Sequence, residues 1–165
     1  MTDRMKEAVF SHLGECSGLR ILDLYAGSGS LGLEAVSRAA KSVIFVESAR
    51  EAILKLEQNI ESTELKSQSQ VVWADVASTL GAGPEERVDL VFVDPPYGMS
   101  PTAVLADLEA IVMNGWLSDD GRVVLHRPSK ERSMKPLGLQ VQWEKDYGQS
   151  QITVFCHDEE EENDS

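Results

Sequence analysis

An apolar segment that runs directly into a glycine-rich loop restricts the fold of this chain more than any other feature. Residues 19–25 form the apolar segment, and residues 26–32, Ala-Gly-Ser-Gly-Ser-Leu-Gly, form the loop. Leu31, Ala35 and Ala39 then recur at helical spacing. A strand, a glycine loop and a helix in this order are typical of nucleotide-binding folds, because glycines allow close approach to the backbone and the helix N-terminus offers free N–H groups.

Strands and helices alternate along the rest of the chain. The predicted strands cover residues 19–25, 42–46, 70–73, 88–93 and 122–126, and the longer predicted helices cover 3–13, 49–61 and 101–113. Residues 140–147 and 151–156 alternate in hydrophobicity around Gly148 and predict an antiparallel hairpin, while residues 81–84 read as a loop. We therefore expect one α/β sandwich over residues 1–157, with a mostly parallel seven-stranded sheet.

The composition limits the class of protein. A chain with 42% hydrophobic and 26% charged residues is globular, and the absence of a signal sequence or a long apolar stretch predicts a cytoplasmic protein that does not enter a membrane. Cys16 and Cys156 stand far apart, so neither a disulfide framework nor a metal site is indicated. The net charge of −13 opposes nonspecific binding to nucleic acid, although six acidic residues fall within residues 158–165, which we expect to be a disordered tail.

The sequence Asp94-Pro95-Pro96-Tyr97 closes the apolar strand 88–93, and we call these four residues the acceptor loop. Neither proline has an N–H for a sheet ladder, so the strand must stop here. Asp94 brings a carboxylate, Pro95 a carbonyl whose direction Pro96 largely presets, and Tyr97 an aromatic face. Two acceptors beside a flat apolar surface suit a planar ring with an exocyclic NH2 group. Taken alone, the motif is as consistent with a proline-stopped strand and a simple loop.

Two further carboxylates follow the ends of predicted strands, which is where ligands bind in parallel sheets. Glu47, after the second strand, can accept hydrogen bonds from both hydroxyls of a ribose or can stabilise a helix N-terminus. Asp75, after the third strand, can cap a short helix or accept a hydrogen bond from an adenine amino group.

The glycine pattern leaves the type of nucleotide open. Gly27, Gly29 and Gly32 satisfy the GxGxxG pattern of NAD-binding folds, so a dehydrogenase must be considered. Asp23 argues against NAD, because a carboxylate four residues before the first glycine is awkward beside a pyrophosphate and suits the ammonium group of a methionine moiety. The chain also offers no obvious substrate domain and no histidine or lysine in a setting that marks it as a hydride-transfer acid.

The same residues resemble a known family. Residues 23–29 resemble the first motif of class I S-adenosylmethionine-dependent methyltransferases, which have a Rossmann-like fold, and the acceptor loop resembles the motif of those that methylate an amino nitrogen of a base. Residues 2–4, 32–35, 37–39 and 147–149 are similar to the bacterial 16S ribosomal RNA guanine-N2 methyltransferases of the RsmD type, over nearly the whole chain. Members of that family carry a basic segment ahead of Thr-Asp-Arg, whereas here Met1 directly precedes Thr2.

The resemblance implies S-adenosylmethionine as cofactor and N2 of a guanine in small-subunit ribosomal RNA as the methyl acceptor, with no metal. It implies a cofactor site made of Asp23, Tyr25, Ala26, Gly27, Ser28, Gly29, Gly32, Glu47, Ser48, Asp75 and Val76. The catalytic residues would be Asp94, Pro95, Pro96 and Tyr97. Arg4 is also expected to contact RNA. Independently of the resemblance, the segment after the fifth strand carries Arg127, Lys130, Arg132 and Lys135, offset only by Glu131, and this local charge of +3 is predicted to meet phosphate, although a charge run of this kind is more often only a solvated loop. His126, just before that segment, is expected to be structural.

Alternatives to this interpretation remain open at the level of sequence. The same acceptor loop suits N6 of adenine or N4 of cytosine in DNA or RNA. An NAD-dependent oxidoreductase and a binding module that keeps the cofactor fold without turnover are two further hypotheses. We expect a monomer whose partner is ribosomal RNA or the small ribosomal subunit, with the target base flipped out or unpaired.

Overall fold

The computed structural model describes residues 1–159, which form one seven-stranded sheet with helices on both faces. In chain order the elements are α1 (Asp3–Leu13), β1 (Arg20–Leu24), α2 (Ser30–Ser37), β2 (Ser42–Glu47), α3 (Arg50–Ser62), a 3-10 turn (Lys66–Gln68), β3 (Ser69–Trp73), α4 (Val76–Ala82), β4 (Val88–Val93), α5 (Pro101–Met113), β5 (Leu117–Pro128), β6 (Leu139–Tyr147) and β7 (Ser150–His157). The predicted α/β class, the seven strands and the C-terminal hairpin are confirmed.

The order of the strands places a crevice at the centre of the sheet. Across the sheet the order is β3-β2-β1-β4-β5-β7-β6. β1 pairs in parallel with both β2 and β4, and β4 pairs in parallel with β5, whereas β7 is antiparallel to β5 and β6. The chain therefore winds outward from β1 in one direction and from β4 in the other. In such sheets the ligand crevice lies at the carboxyl ends of the two central strands.

Two hydrophobic clusters hold the helices against the two faces of the sheet. Helices α1, α2 and α3 cover one face, where Phe10, Phe45 and Phe92 are almost completely buried. Helices α4 and α5 cover the other face through Leu80 and Leu108. With both faces covered, the central strands are mostly apolar, which is why strand 88–93 reads as a hydrophobic run interrupted only by Asp89.

The structure differs from the predicted element bounds in two places. Helix α4 extends to Ala82 and so includes Gly81, both of which were predicted to lie in a loop. Strand β5 begins at Leu117 rather than near residue 122, because Leu117 pairs with Val88 before a register shift brings Arg122 opposite Leu90. The predicted acidic tail falls mostly on residues 160–165, which lie outside the described part of the chain. None of the helices within residues 1–159 is long and apolar enough to cross a membrane.

Candidate functional site

The glycine loop lies at the carboxyl end of β1 and brings α2 close to the sheet. Gly29 has a φ of +81°, and a Cβ added there would lie 2.3 Å from Leu56 Cδ1. A Cβ on Gly32 would lie 2.5 Å from Phe45 Cε1. These two positions accept only glycine without a shift of the surrounding packing, so the glycines allow α2 to start close to the sheet.

Asp23 lies beneath this loop instead of on its surface. The residue is 1% exposed, and its Oδ2 accepts a hydrogen bond of 3.0 Å from the Gly32 N–H. Burial raises the pKa of Asp23 well above its usual value, the Gly32 N–H lowers it, and the charges of Asp94 and Glu47 raise it further. In this structure the Asp23 carboxylate fixes the start of α2. A ligand ammonium group that bound to Asp23 would have to contact this same buried carboxylate.

Glu47 connects the glycine loop to the start of α3. Its Oε1 accepts from the Gly27 N–H at 2.9 Å, and its Oε2 accepts from the Ser48 and Ala49 N–H groups at 2.8 Å each. Both interpretations of Glu47 are therefore compatible with its position, since its carboxylate lies beside the start of α3, without capping that helix, and also lines the cleft. Asn59 Nδ2 donates to the Ser28 carbonyl at 2.9 Å and holds the outer side of the loop.

A cleft of about 500 Å³ opens between the carboxyl ends of β1, β2, β3 and β4. Among the residues predicted to hold a cofactor, Tyr25, Glu47, Ser48, Asp75 and Val76 line it. Residues of the acceptor loop and of its continuation, Pro96 and Met99, line the same cleft. The structure thus brings five of the eleven predicted cofactor residues and Pro96 of the acceptor loop, which belong to different strands, to one cleft. Asp23, the glycine loop and the other three acceptor-loop residues, Asp94, Pro95 and Tyr97, do not line it.

Tyr25 forms one wall of the cleft in a strained backbone conformation. Its φ is +57°, a region that residues other than glycine seldom adopt, and Ala26 next to it donates its N–H to the Val46 carbonyl at 3.1 Å. The Tyr25 hydroxyl donates a hydrogen bond to Asp107. Burial, then the hydrogen bond to Asp107, raises the pKa of Tyr25 well above its usual value. The sequence pattern did not identify Asp107, which is 5% exposed and lies among the apolar positions of α5.

Asp75 occupies the opposite wall of the cleft. It is the N-cap residue of α4, and its Oδ2 accepts from the Ser78 N–H at 3.2 Å, so the capping interpretation is confirmed. The hydrogen bonds from Ser78 lower the pKa of Asp75, which keeps the exposed carboxylate ionised. Trp73, the last residue of β3, donates its indole N–H to the Ser48 carbonyl at 3.0 Å and closes the outer rim.

Asp94 begins the acceptor loop, and its carboxylate is held by a residue of the neighbouring strand. His126 Nδ1 lies 2.8 Å from Asp94 Oδ1, and the Met1 amino group lies 3.6 Å from Oδ2. Burial by itself raises the pKa of Asp94, but the hydrogen bond to His126 and the nearby amino group outweigh it, so the pKa is below its usual value. His126, which the sequence led us to regard as structural only, is in contact with the candidate catalytic carboxylate.

The two proline carbonyls of the acceptor loop differ in their partners. Within residues 1–159 no donor reaches the Pro95 carbonyl oxygen. The Pro96 carbonyl accepts from the Met99 N–H at 3.0 Å and from Arg127 Nη1 at 3.3 Å. Pro95 is buried and its carbonyl is unpaired within these residues, while the carbonyl of the exposed Pro96 is used to shape the turn.

Arg127 differs from its expected role as an RNA contact. The residue is 4% exposed, and its guanidinium forms a two-pronged ion pair with Glu131 at 2.8 and 2.5 Å. Arg127 Nη2 also donates to the Met99 carbonyl at 2.8 Å. Because all of these partners are within the protein, Arg127 does not present its charge to solvent, and the structure removes it from the candidate phosphate-binding residues.

The other predicted RNA contacts are exposed. Arg4 lies on α1, and Lys130, Arg132 and Lys135 lie in the segment between β5 and β6. None of the four forms an ion pair within the described residues. Tyr97 is 64% exposed, its hydroxyl lies 3.2 Å from Ser150 Oγ, and it presents an open aromatic face beside the cleft.

A sequence model of the family described as "Conserved hypothetical protein 95" matches residues 1–156 of the chain. The chain belongs to this family. Relatives named "Ribosomal RNA small subunit methyltransferase D" also match the chain, so the predicted RsmD-type methyltransferase family is confirmed. No cluster of three or more histidine, cysteine or acidic side chains suited to a metal ion occurs among residues 1–159.

Relatives of this RsmD-type chain carry names that refer to ribosomal RNA. The protein named "Putative rRNA methyltransferase YlbH" of Bacillus subtilis is 32% identical over 93% of this chain and 85% of its own length. "Ribosomal RNA small subunit methyltransferase D" of Escherichia coli K12 is 29% identical over 99% of this chain and 82% of its own length. A solved structure titled "Putative methyltransferase yhhF from Escherichia coli" superposes with a TM-score of 0.84 at 29% identity, covering 94% and 85% of the two chains.

Proposed function

We propose that this protein transfers a methyl group from S-adenosylmethionine to the exocyclic N2 amine of a guanine in small-subunit ribosomal RNA. The observation that carries the proposal is that Glu47, Ser48 and Asp75 line the same cleft of about 500 Å³ as Pro96 of the acceptor loop. The names of the relatives support ribosomal RNA as the substrate class. The form of the acceptor loop supports an amino nitrogen as the methylated atom.

The residues around the cleft fit this cofactor. Glu47 offers carboxylate oxygens at the edge where a ribose would lie, and Asp75 offers an ionised carboxylate to an amino group of a purine. The glycine loop and the buried Asp23 lie at the carboxyl end of β1, where the methionine part would extend towards Asp94. When bound, S-adenosylmethionine supplies a methyl group on a positively charged sulfur, and no metal is needed.

Asp94 and the Pro95 carbonyl act on the amine as hydrogen-bond acceptors. Guanine N2 is a poor nucleophile because its lone pair is delocalised into the ring. Two acceptors that draw both N–H groups to one side turn the nitrogen lone pair toward the methyl carbon and stabilise the positive charge that develops on nitrogen. The new N–C bond forms as the C–S bond breaks with its electrons left on sulfur, and one amine proton then leaves to water.

Tyr97 provides the surface on which the target base stacks. Its exposed ring borders the cleft, and stacking of a base on an aromatic side chain contributes about 1–3 kcal/mol. The base must leave its helix to reach this position, at a cost of about a few kcal/mol. Arg4, Lys130, Arg132 and Lys135 supply the exposed positive charge for the RNA backbone, which the acidic remainder of the protein cannot attract.

The test is methyl transfer from labelled S-adenosylmethionine to small ribosomal subunits that lack the modification, followed by nucleoside analysis. We expect N2-methylguanosine from the wild-type protein and a loss of at least about 100-fold in the Asp94→Ala variant, the typical effect of removing one group that stabilises transition-state charge. Asp119→Ala is the matched control, because that carboxylate is 97% exposed and lies far from the cleft at the start of β5.

The alternatives give different results in the same experiment. N6-methyladenosine or N4-methylcytidine in the product would replace the guanine assignment while keeping the chemistry. Thermal stabilisation by NAD, with none by S-adenosylhomocysteine, would indicate an oxidoreductase. Stabilisation by S-adenosylhomocysteine without transfer to any ribosomal substrate would indicate a binding module, and an active Asp94→Ala variant would contradict the proposed mechanism.

A further inference from the structure

His126 is a buried polar residue that follows an apolar run near the end of β5. It follows Val123, Val124 and Leu125 on β5 and is 6% exposed. Its Nδ1 lies 2.8 Å from Asp94 Oδ1, but its Nε2 is buried and has no hydrogen-bond partner among residues 1–159. A buried polar atom without a partner lowers stability, and an apolar residue would avoid this cost at such a position.

The contact with Asp94 determines which nitrogen carries the proton. An ionised carboxylate can only accept hydrogen bonds, so Nδ1 must carry the hydrogen that lies between the two side chains. The side chain of His126 is 7% exposed and that of Asp94 is 27% exposed, so the ring is buried while the carboxylate stays partly open to solvent, with the Met1 amino group 3.6 Å from Oδ2. The ring is therefore placed to hold Asp94 and not to reach the target amine itself.

His126 also contacts the aromatic residue of the acceptor loop. The Tyr97 ring meets the His126 ring edge to face, with centroids 6.0 Å apart and an interplanar angle of 74°. This geometry is favourable for aromatic pairs, which prefer T-shaped arrangements at 4.5–7 Å. One side chain of β5 thus touches the acceptor that would hold the amine and the ring on which the base would stack.

We propose that His126 is a positioning residue for methyl transfer, which fixes the orientation of the Asp94 carboxylate through Oδ1 and leaves Oδ2, now 3.6 Å from the Met1 amino group, as the oxygen that accepts from the target amine. The inference rests on the proposed function and extends it, because nothing in the acceptor-loop motif itself calls for a histidine on the next strand. His126 does not touch the reacting atoms. Its effect is to remove the rotational freedom of the carboxylate and to keep that carboxylate ionised.

The test compares two replacements that differ in hydrogen bonding. His126→Asn places an amide N–H near the position of Nδ1, whereas His126→Leu removes the donor and suits the apolar strand. Because His126→Leu loses a hydrogen bond to a charged group, we expect its kcat to fall about 10- to 100-fold. The fall should be smaller for His126→Asn, which keeps a donor. KM for RNA and the affinity for S-adenosylhomocysteine should stay close to wild type.

Thermal stability separates a positioning role from a packing role. His126→Leu removes the unpartnered Nε2 from the core but also takes the hydrogen bond from the Asp94 carboxylate, so we expect a modest fall in melting temperature, of about 2–4 °C, and a loss of activity that persists well below the melting temperature. A fall in both melting temperature and activity, restored together at lower temperature, would overturn the proposal. So would a kcat of His126→Leu equal to that of the wild type.

A double-mutant cycle ties the effect to Asp94. In the Asp94→Ala background the additional His126→Leu change should cost nothing, because the residue would act only through that carboxylate. An equal loss in both backgrounds would contradict the proposal.

Nitrogen-15 NMR of the wild type should show the ring proton of His126 on Nδ1, and a ring protonated on Nε2 alone would also contradict the proposal. If the wild type transfers no methyl group to ribosomal RNA, the proposed function is wrong. The NMR result then still tests whether His126 donates a hydrogen bond to Asp94.

Discussion

Arg127 gives the most quantitative prediction, because its guanidinium joins the turn after Pro96 to the segment after β5. It makes four hydrogen bonds, to both carboxylate oxygens of Glu131 and to the carbonyls of Pro96 and Met99. Removal of one partner of a buried ion pair costs about 3–5 kcal/mol. Glu131 keeps 21% of its side chain exposed and can regain water, so we expect Arg127→Ala to cost the lower end of this range, about 3 kcal/mol.

This loss is large enough to measure in two ways. For a chain of this length, about 3 kcal/mol corresponds to a fall in melting temperature of about 6–12 °C. Urea denaturation should show a lower midpoint with an unchanged slope, since the surface exposed on unfolding stays the same. Methyl transfer should also weaken, because the turn after Pro96 is no longer fixed to β5.

Arg132→Ala is the matched control, since that arginine lies five residues further on and is exposed without an ion pair in the described part of the chain. We expect it to change the unfolding free energy by less than about 0.5 kcal/mol. Arg127→Lys keeps the positive charge but not the planar fork, and it should recover only part of the stability. An Arg127→Ala variant within about 1 kcal/mol of the wild type would refute the reasoning, because solvent or the neighbouring backbone would then satisfy all of the freed groups.

Two further predictions concern the buried carboxylate and the exposed charges. The pKa of Asp23 is raised in the folded state, so the folded protein binds a proton at this carboxylate more tightly than the unfolded chain does. The unfolding free energy of the wild type, measured relative to that of Asp23→Asn, should therefore fall as pH rises from about 4 toward the folded pKa. The fall should be at most about 1.4 kcal/mol per pH unit. Urea titrations of both proteins at several pH values measure this difference, and parallel pH curves would contradict it. If Lys130 contacts phosphate, Lys130→Ala should reduce the slope of log affinity for RNA against log salt concentration by about 0.7–0.9. The control is Lys66→Ala, at the opposite edge of the sheet, which should leave that slope unchanged.

Much of the fold could be predicted from sequence because each element carries a local signal. The hydrophobic run before Asp94, the glycine loop and the capping residue Asp75 each define where an element begins or ends. Since parallel strands share one carboxyl edge, these local predictions were sufficient to place Glu47, Asp75 and the acceptor loop around one cleft. Confirmation of the fold therefore confirms where these residues lie, while their roles in catalysis stay proposals.

The contacts made by β5 could not be predicted in the same way. His126 meets Asp94 because Leu125 pairs with Val93 in the β4 and β5 register, and hydrophobic patterns within the two strands do not determine that register. The same applies to Arg127, which looked like part of a basic run and instead forms an ion pair with Glu131, four residues later. Asp107 was missed because its neighbours on α5 are apolar, and only the packing of that helix shows the Tyr25 hydroxyl beside it.

The strand order has a consequence for how this protein can change. Residues that would hold the methyl donor lie on β1, β2 and β3, whereas the acceptor loop, His126, Arg127 and the exposed basic segment belong to β4, β5 and the connection from β5 to β6. Within the sheet, the two halves meet only along the β1 and β4 pairing. Recognition of the methyl donor and recognition of the target nucleotide can therefore be exchanged separately. A hybrid protein that joins residues 1–87 of this chain to the second half of a relative should keep the affinity of this chain for S-adenosylhomocysteine. The hybrid should modify the nucleotide that the relative modifies.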